Sequence, residues 1–261
     1  MTNNQWEAFC NFKISVKNQI EKWNNYAPQL KDLQKIAAQK ANTPEYPFEI
    51  PVVWNKSLDE ITAKDDIKLI VIGDNPGKDE QLAKNSKYLV GQAGKLGENF
   101  FKKNPVLNID FRKNVIILNK TPIHSAKTAQ LKVIAKLGGK KIADLIKESQ
   151  IFMAKQTAKL HTYLCKFDKE SLNKKTQLWL VGYSELKQNG IFADYRTELK
   201  NYYLQNSKET WENVFVYQHF SMNRFIIDLN NYIKENQKEN ESLDKILQEL
   251  GTVRKNEIFI N

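Results

Sequence analysis

Apolar positions along this chain follow two periods. Trp6, Phe9, Phe12, Val16, Ile20 and Trp23 recur at intervals of three or four, the stripe of an amphipathic helix packed on a core. A second helix is expected from about Pro28, a favourable first-turn residue, through Leu30, Leu33, Ile36 and Ala37. Pro44, Pro47 and Pro51 then impose extended backbone. The pattern changes at Lys68-Leu-Ile-Val-Ile-Gly-Asp-Asn-Pro-Gly77, an aliphatic run that ends abruptly in a turn. Without polar alternation, such a run suits a strand buried on both faces. Residues 114–119, 177–182 and 213–219 are built the same way. Helical patterns cover 93–101, 127–166 with an interruption at Gly138-Gly139, about 193–204, and Phe225 through Ile233. A short helix is also expected behind the third strand. The tail from Lys234 is nearly neutral and reads as a surface helix closed by a short strand over 257–260.

This alternation predicts a three-layer α/β/α sandwich around a mostly parallel sheet of about four strands, with extra helices at both ends. Open sheets of this kind bind ligands beyond the carboxyl ends of their strands. Three predicted strands end there in polar side chains: Asp74 and Asn75, Asn119, and His219. Together they make one candidate site. Each also has a plainer reading, since Asp and Asn are common turn formers and Asn119 leads into Lys120-Thr-Pro122. The loop from Lys78 to Gly91 is long for a compact α/β domain, which points to function. Gly91 and Gly94 would let backbone come close to a ligand or to a packed helix.

Composition narrows the class. The 41% apolar content is that of an ordinary folded chain, and no window approaches the length of a membrane span. The first residues lack the basic-then-apolar pattern of a signal peptide, so a cytoplasmic protein is expected. Two cysteines, Cys10 and Cys165, are too few for a cysteine-bound metal cluster, and no metal or cofactor is expected. The net charge of +10 is concentrated: thirteen lysines stand against four acidic residues between Lys120 and Lys175. Such a segment suits a polyanion partner or a solvated lysine-rich face. His124 and His161 are expected on the solvent side, and Lys132 as generic surface charge. Neither a Gly-x-Gly-x-x-Gly nor a Gly-x-x-x-x-Gly-Lys-Ser/Thr loop is present, which argues against an α/β enzyme acting on a small phosphorylated substrate.

The Gly73-Asp-Asn-Pro-Gly77 turn, the Tyr88-Leu-Val-Gly-Gln-Ala-Gly-Lys-Leu96 loop, the strand ending at Asn119 and the His219-Phe-Ser221 turn resemble, in order, the motifs of the uracil-DNA glycosylase superfamily. The resemblance covers about residues 65–235 of a single domain, leaving an amino-terminal helical extension (1–57) and a tail (236–261) outside it. It implies a monofunctional DNA glycosylase that hydrolyses the N-glycosidic bond of uracil, or of a related deaminated base, by direct attack of water. Asp74 or Asn75 would then orient the water, and His219 would hydrogen-bond the departing carbonyl oxygen. Asn119 would read the base edge, within a pocket made with Gly73, Pro76, Gly77, Tyr88, Leu89 and Gly91. Backbone around Ser221 would clamp a phosphate of a flipped nucleotide. Met222 or Arg224 would wedge into the vacated stack, as would Phe225, and Asn223, Lys120 and Lys127 would contact the DNA. The partner implied is damaged DNA, bound by a monomer. No lysine stands in a motif position suited to an amine nucleophile, which argues against a Schiff-base lyase.

The sequence also departs from the family. The loop is closest to the iron–sulfur class, whose four cysteines are missing. Leu89 stands where an aromatic residue would stack on the base, leaving Tyr88 or Phe48 as substitutes, and Phe220 replaces a proline. These departures keep open a non-catalytic nucleic-acid-binding relative and an unrelated enzyme acting on a small phosphorylated substrate.

Overall fold

The computed structural model describes residues 1–166 and 175–259. Four strands, β1 (Leu69–Gly73), β2 (Val115–Asn119), β3 (Gln177–Val181) and β4 (Val214–Tyr217), form one sheet in the order β2-β1-β3-β4. All three pairings are parallel, so every described strand points its carboxyl end the same way. The helices are α1 (Asn3–Trp23), α2 (Ala27–Lys40), α3 (Ser57–Glu60), α4 (Gln92–Lys103), α5 (Gln130–Lys166), α6 (Ala193–Asn206), α7 (Lys208–Trp211), α8 (Arg224–Glu235) and α9 (Leu243–Phe259). The expected interruption of α5 falls at Gly139, whose backbone takes φ 68° and ψ −167°.

The strands alternate strictly between two cores. Ile70, Ile72, Ile116, Leu118, Leu178, Leu180, Val214 and Val216 pack with residues of α1, α2, α5 and α6. Leu69, Val71, Val115, Ile117, Trp179, Val181, Phe215 and Tyr217 face α4, α8 and α9. This is the three-layer α/β/α sandwich that the sequence predicts. Because both faces are covered, each strand reads as an unbroken apolar run.

The amino-terminal end of the chain follows expectation and the carboxyl-terminal end does not. The amino-terminal stripe buries Phe9, Phe12, Val16, Ile20 and Trp23 against the α5 layer. The tail is not a surface helix with a terminal strand. Residues 257–259 continue α9, while Ile260 lies outside the described residues. Helix α9 buries Ile246, Leu247 and Leu250 on the sheet, and Gly251 admits it, since a Cβ there would stand 2.6 Å from Phe215 and 2.7 Å from the Tyr217 ring.

A candidate active-site cleft at the strand ends

At the carboxyl ends of the strands lies a cleft of about 690 Å³. Asp74, Asn75, Gly77, Leu89, Gly91, Asn119, Lys127, His219, Ser221, Met222 and Arg224 all line it, so most of the expected site residues converge. They arrive on separate elements: Asp74 and Asn75 on the turn after β1, Asn119 as the last residue of β2, and His219 two residues beyond β4.

Asn119 is 1% exposed, and among the described residues its amide Nδ2 has no hydrogen-bond partner. A buried donor left unpaired is costly, so this atom is suited to a ligand acceptor. Its Oδ1 sits over Gly73, where a Cβ would come within 2.5 Å, and the position therefore requires glycine.

Asp74 is held from two sides. Lys120 Nζ lies 2.6 Å from Oδ1, and the Thr128 hydroxyl donates to Oδ2 at 3.3 Å. Gly182 allows this arrangement, because it has φ 98° and a Cβ on it would stand 2.3 Å from Asp74 Oδ1. Asn75 is engaged differently. Its Nδ2 donates to Ser125 O and Oγ at 3.0 Å and to Pro76 O at 3.1 Å. It fastens the turn to the segment after β2, leaving Asp74 Oδ2 as the better-placed acceptor for a water.

At His219, the Ser221 backbone N–H donates to Nδ1 at 3.1 Å, and the Ser221 hydroxyl lies 2.7 Å from the same atom. An N–H group can only donate, so Nδ1 is the acceptor and neutral His219 carries its proton on Nε2. Burial lowers the imidazole's pKa below its ordinary value, and Lys120 and Arg224 push the same way against Asp74. The ring is thereby biased toward the neutral form, with Nε2–H as its free donor.

Glu80 is the main residue that the sequence reading missed. It is 7% exposed and lines the cleft, accepting from Gly77 N at 3.1 Å and Leu89 N at 2.9 Å. Burial raises its carboxyl to about 7, and Asp79 adds to the effect while the two backbone donors oppose it. Asn119 stabilises the charged form from close by without a hydrogen bond of normal geometry. Leu89, held by Glu80 through its N–H and by Arg112 through its carbonyl at 2.8 Å, keeps a left-handed backbone with φ 50°. Gly94 answers a packing need, since a Cβ there would run into the Leu89 carbonyl.

Several expected residues stand elsewhere. Lys120 cannot contact DNA: it is fully buried, and its ammonium reaches Asp74 Oδ1, Val181 O at 2.6 Å and Gly73 O at 3.3 Å. A lysine therefore does stand beneath the site. Its three donors meet three acceptors, which holds it as an ammonium even though burial lowers its pKa. Tyr88 cannot stack on a base, because it is 3% exposed and its hydroxyl donates to Val53 O at 2.6 Å. Pro76 is buried and Asn223 exposed, both outside the cleft lining. Phe48 packs on Tyr46, with ring centroids 4.2 Å apart, also away from the lining. His124 and His161 are not at the solvent side: both are fully buried. His124 Nδ1–H donates to Pro76 O, and His161 Nε2–H donates to Thr176 O.

The chain matches no family model, no curated protein and no solved structure. The cleft itself therefore carries the functional argument. Among the described residues no helix is long and apolar enough to cross a membrane, and no group of His, Cys, Asp and Glu side chains could hold a metal ion.

Proposed function

We propose that this chain is a monofunctional DNA glycosylase that releases uracil, or a related deaminated base, from DNA by direct attack of water. The observation that carries the reading is the cleft's polar set: an unpartnered Asn119 amide, the Asp74 carboxylate and the His219 Nε2–H donor, brought together from three strand ends. Cleaving an N-glycosidic bond gives the sugar oxocarbenium character and leaves negative charge on the base. In this reading Asp74 Oδ2 holds the water, Asn119 Nδ2 donates to a carbonyl on the base edge, and His219 Nε2–H donates to the oxygen that gains charge. A neutral imidazole suffices for that last role. Lys127, Arg224 and the backbone at Ser221 border the cleft where phosphates would pass.

Met222 fits the role of a wedge. It is 71% exposed, has φ 56°, and is followed by Asn223 with φ 55°. Two consecutive left-handed residues hold an apolar side chain out at the rim, and such strain persists where function requires it. The proposed setting is cytoplasmic base-excision repair by a monomer.

The test is substitution. Asn119→Ala and His219→Ala should each reduce base release at least a hundredfold while leaving DNA affinity nearly unchanged. Loss of affinity in parallel with release would count against these roles. A non-catalytic DNA-binding relative is the second reading, favoured by Lys120 and Thr128 already occupying both Asp74 oxygens. It predicts salt-sensitive DNA binding with no release from any substrate.

A further inference from the structure

The Asp74–Lys120 pair lies under the cleft with its lysine fully enclosed. A buried ion pair is weak evidence of stabilisation, so its position is the more informative fact. Lys120 Nζ touches the carbonyl of Val181, which pairs with Tyr217, two residues before His219. The ammonium and the Asp74 carboxylate thus both stand beneath the histidine turn, with opposite effects on the imidazole. The other charged side chains that line the cleft with His219 are Arg224 on its own turn, Lys78, Asp79 and Glu80 after β1, Lys127 after β2, and Glu185 after β3.

We propose that Lys120 is a positioning residue of this site: clamped on Asp74, it offsets that carboxylate's field at His219 and so adds to burial in keeping the imidazole a neutral donor. The proposal rests on the glycosylase reading for its purpose, though not for its measurement. A carboxylate alone beside a histidine would draw a second proton onto the ring. That proton would go to Nδ1, the atom that accepts from Ser221, and would break the contact that orients the ring. Lys120 prevents this without entering the cleft. Its Nζ donors are saturated, so it is not a nucleophile.

The experiment follows the His219 ring nitrogens by NMR across pH in the full chain without DNA, with the signal assigned by its loss in His219→Gln. Lys120→Met should raise the His219 titration midpoint by about one pH unit or more, and Asp74→Asn should lower it. Should Lys120→Met fail to fold, Asp74→Asn and the uncharged double variant decide, the double variant bringing the midpoint back up from the Asp74→Asn value toward that of wild type. An unmoved midpoint in a folded Lys120→Met protein would overturn the proposal, as would shifts of the same sign in both single variants. A merely structural lysine would lower the melting temperature and leave the midpoint where it was. Because the readout needs no DNA, absence of base release by the wild type would sink the glycosylase reading alone.

Discussion

Replacing Glu80 by Gln should change how stability depends on pH, with a sign that the structure dictates. Glu80 is held near 7 in the folded protein against 4.5 for a free side chain, because burial disfavours its charge. Its folded pKa is raised, so its contribution to stability is complete below about pH 4.5 and is lost as pH rises through about 7. A displacement of this size corresponds to about 3 kcal/mol between the two ends of that window. Gln keeps the shape but carries no charge, and its amide nitrogen opposes one of the two N–H groups, Gly77 or Leu89, that the carboxylate accepts from. That mismatch costs about 1–3 kcal/mol at every pH. The variant should therefore be less stable than wild type by about 1–3 kcal/mol at pH 4.5, and level with it or up to about 2 kcal/mol more stable at pH 8.5. The assay is urea unfolding of both proteins at intervals between these limits, read as the difference in unfolding free energy. Taking the difference removes the buried histidines, which titrate in the same window. A difference that stays constant with pH would refute the assignment of a raised pKa to Glu80.

Gly182→Ala should lower stability by about 2–4 kcal/mol, from a strained backbone plus the collision with Asp74, and should abolish base release; calorimetry and the release assay check both. His124 and His161 are each held near 4, below the free value of 6.5. Their contribution is complete above pH 6.5 and is lost as pH falls through 4, and His161→Gln should flatten the acid limb of the wild-type stability profile by about 3 kcal/mol. Met222→Ala should slow release from duplex DNA at least tenfold more than from single strands, since a wedge matters only where a stack must be opened; equal losses on both substrates would remove Met222 from that role.

The strands were legible because burial on both faces leaves a run such as Leu69–Ile72 with no polar residue, and the strand-end rule then leads to Asp74, Asn119 and His219. The role of α9 was not legible. Its segment mixes many charges with its apolar residues, and its seat on β4 depends on Gly251, whose missing side chain signals nothing until Phe215 and Tyr217 are opposite it. Glu257-Ile-Phe read as a strand because so short an apolar run fits either element. Burial of Lys120, His124 and His161 was hidden for one reason: the groups that satisfy them lie at Asp74, Pro76 and Thr176, well away in sequence from the residues they hold. Glu80 was hidden differently: its partners Gly77 and Leu89 are near in sequence, but nothing in the loop's composition shows that its carboxylate turns inward to accept from both backbone N–H groups.

The most direct test is alkali-dependent cleavage of end-labelled oligonucleotides carrying a single uracil, hypoxanthine or xanthine, single-stranded and opposite each base. Wild type, Asn119→Ala and His219→Ala are compared. A glycosylase working through this cleft predicts abasic sites with wild type on at least one of these substrates, and their disappearance in both variants with DNA binding retained. Salt-sensitive DNA binding with no base released from any substrate would contradict it.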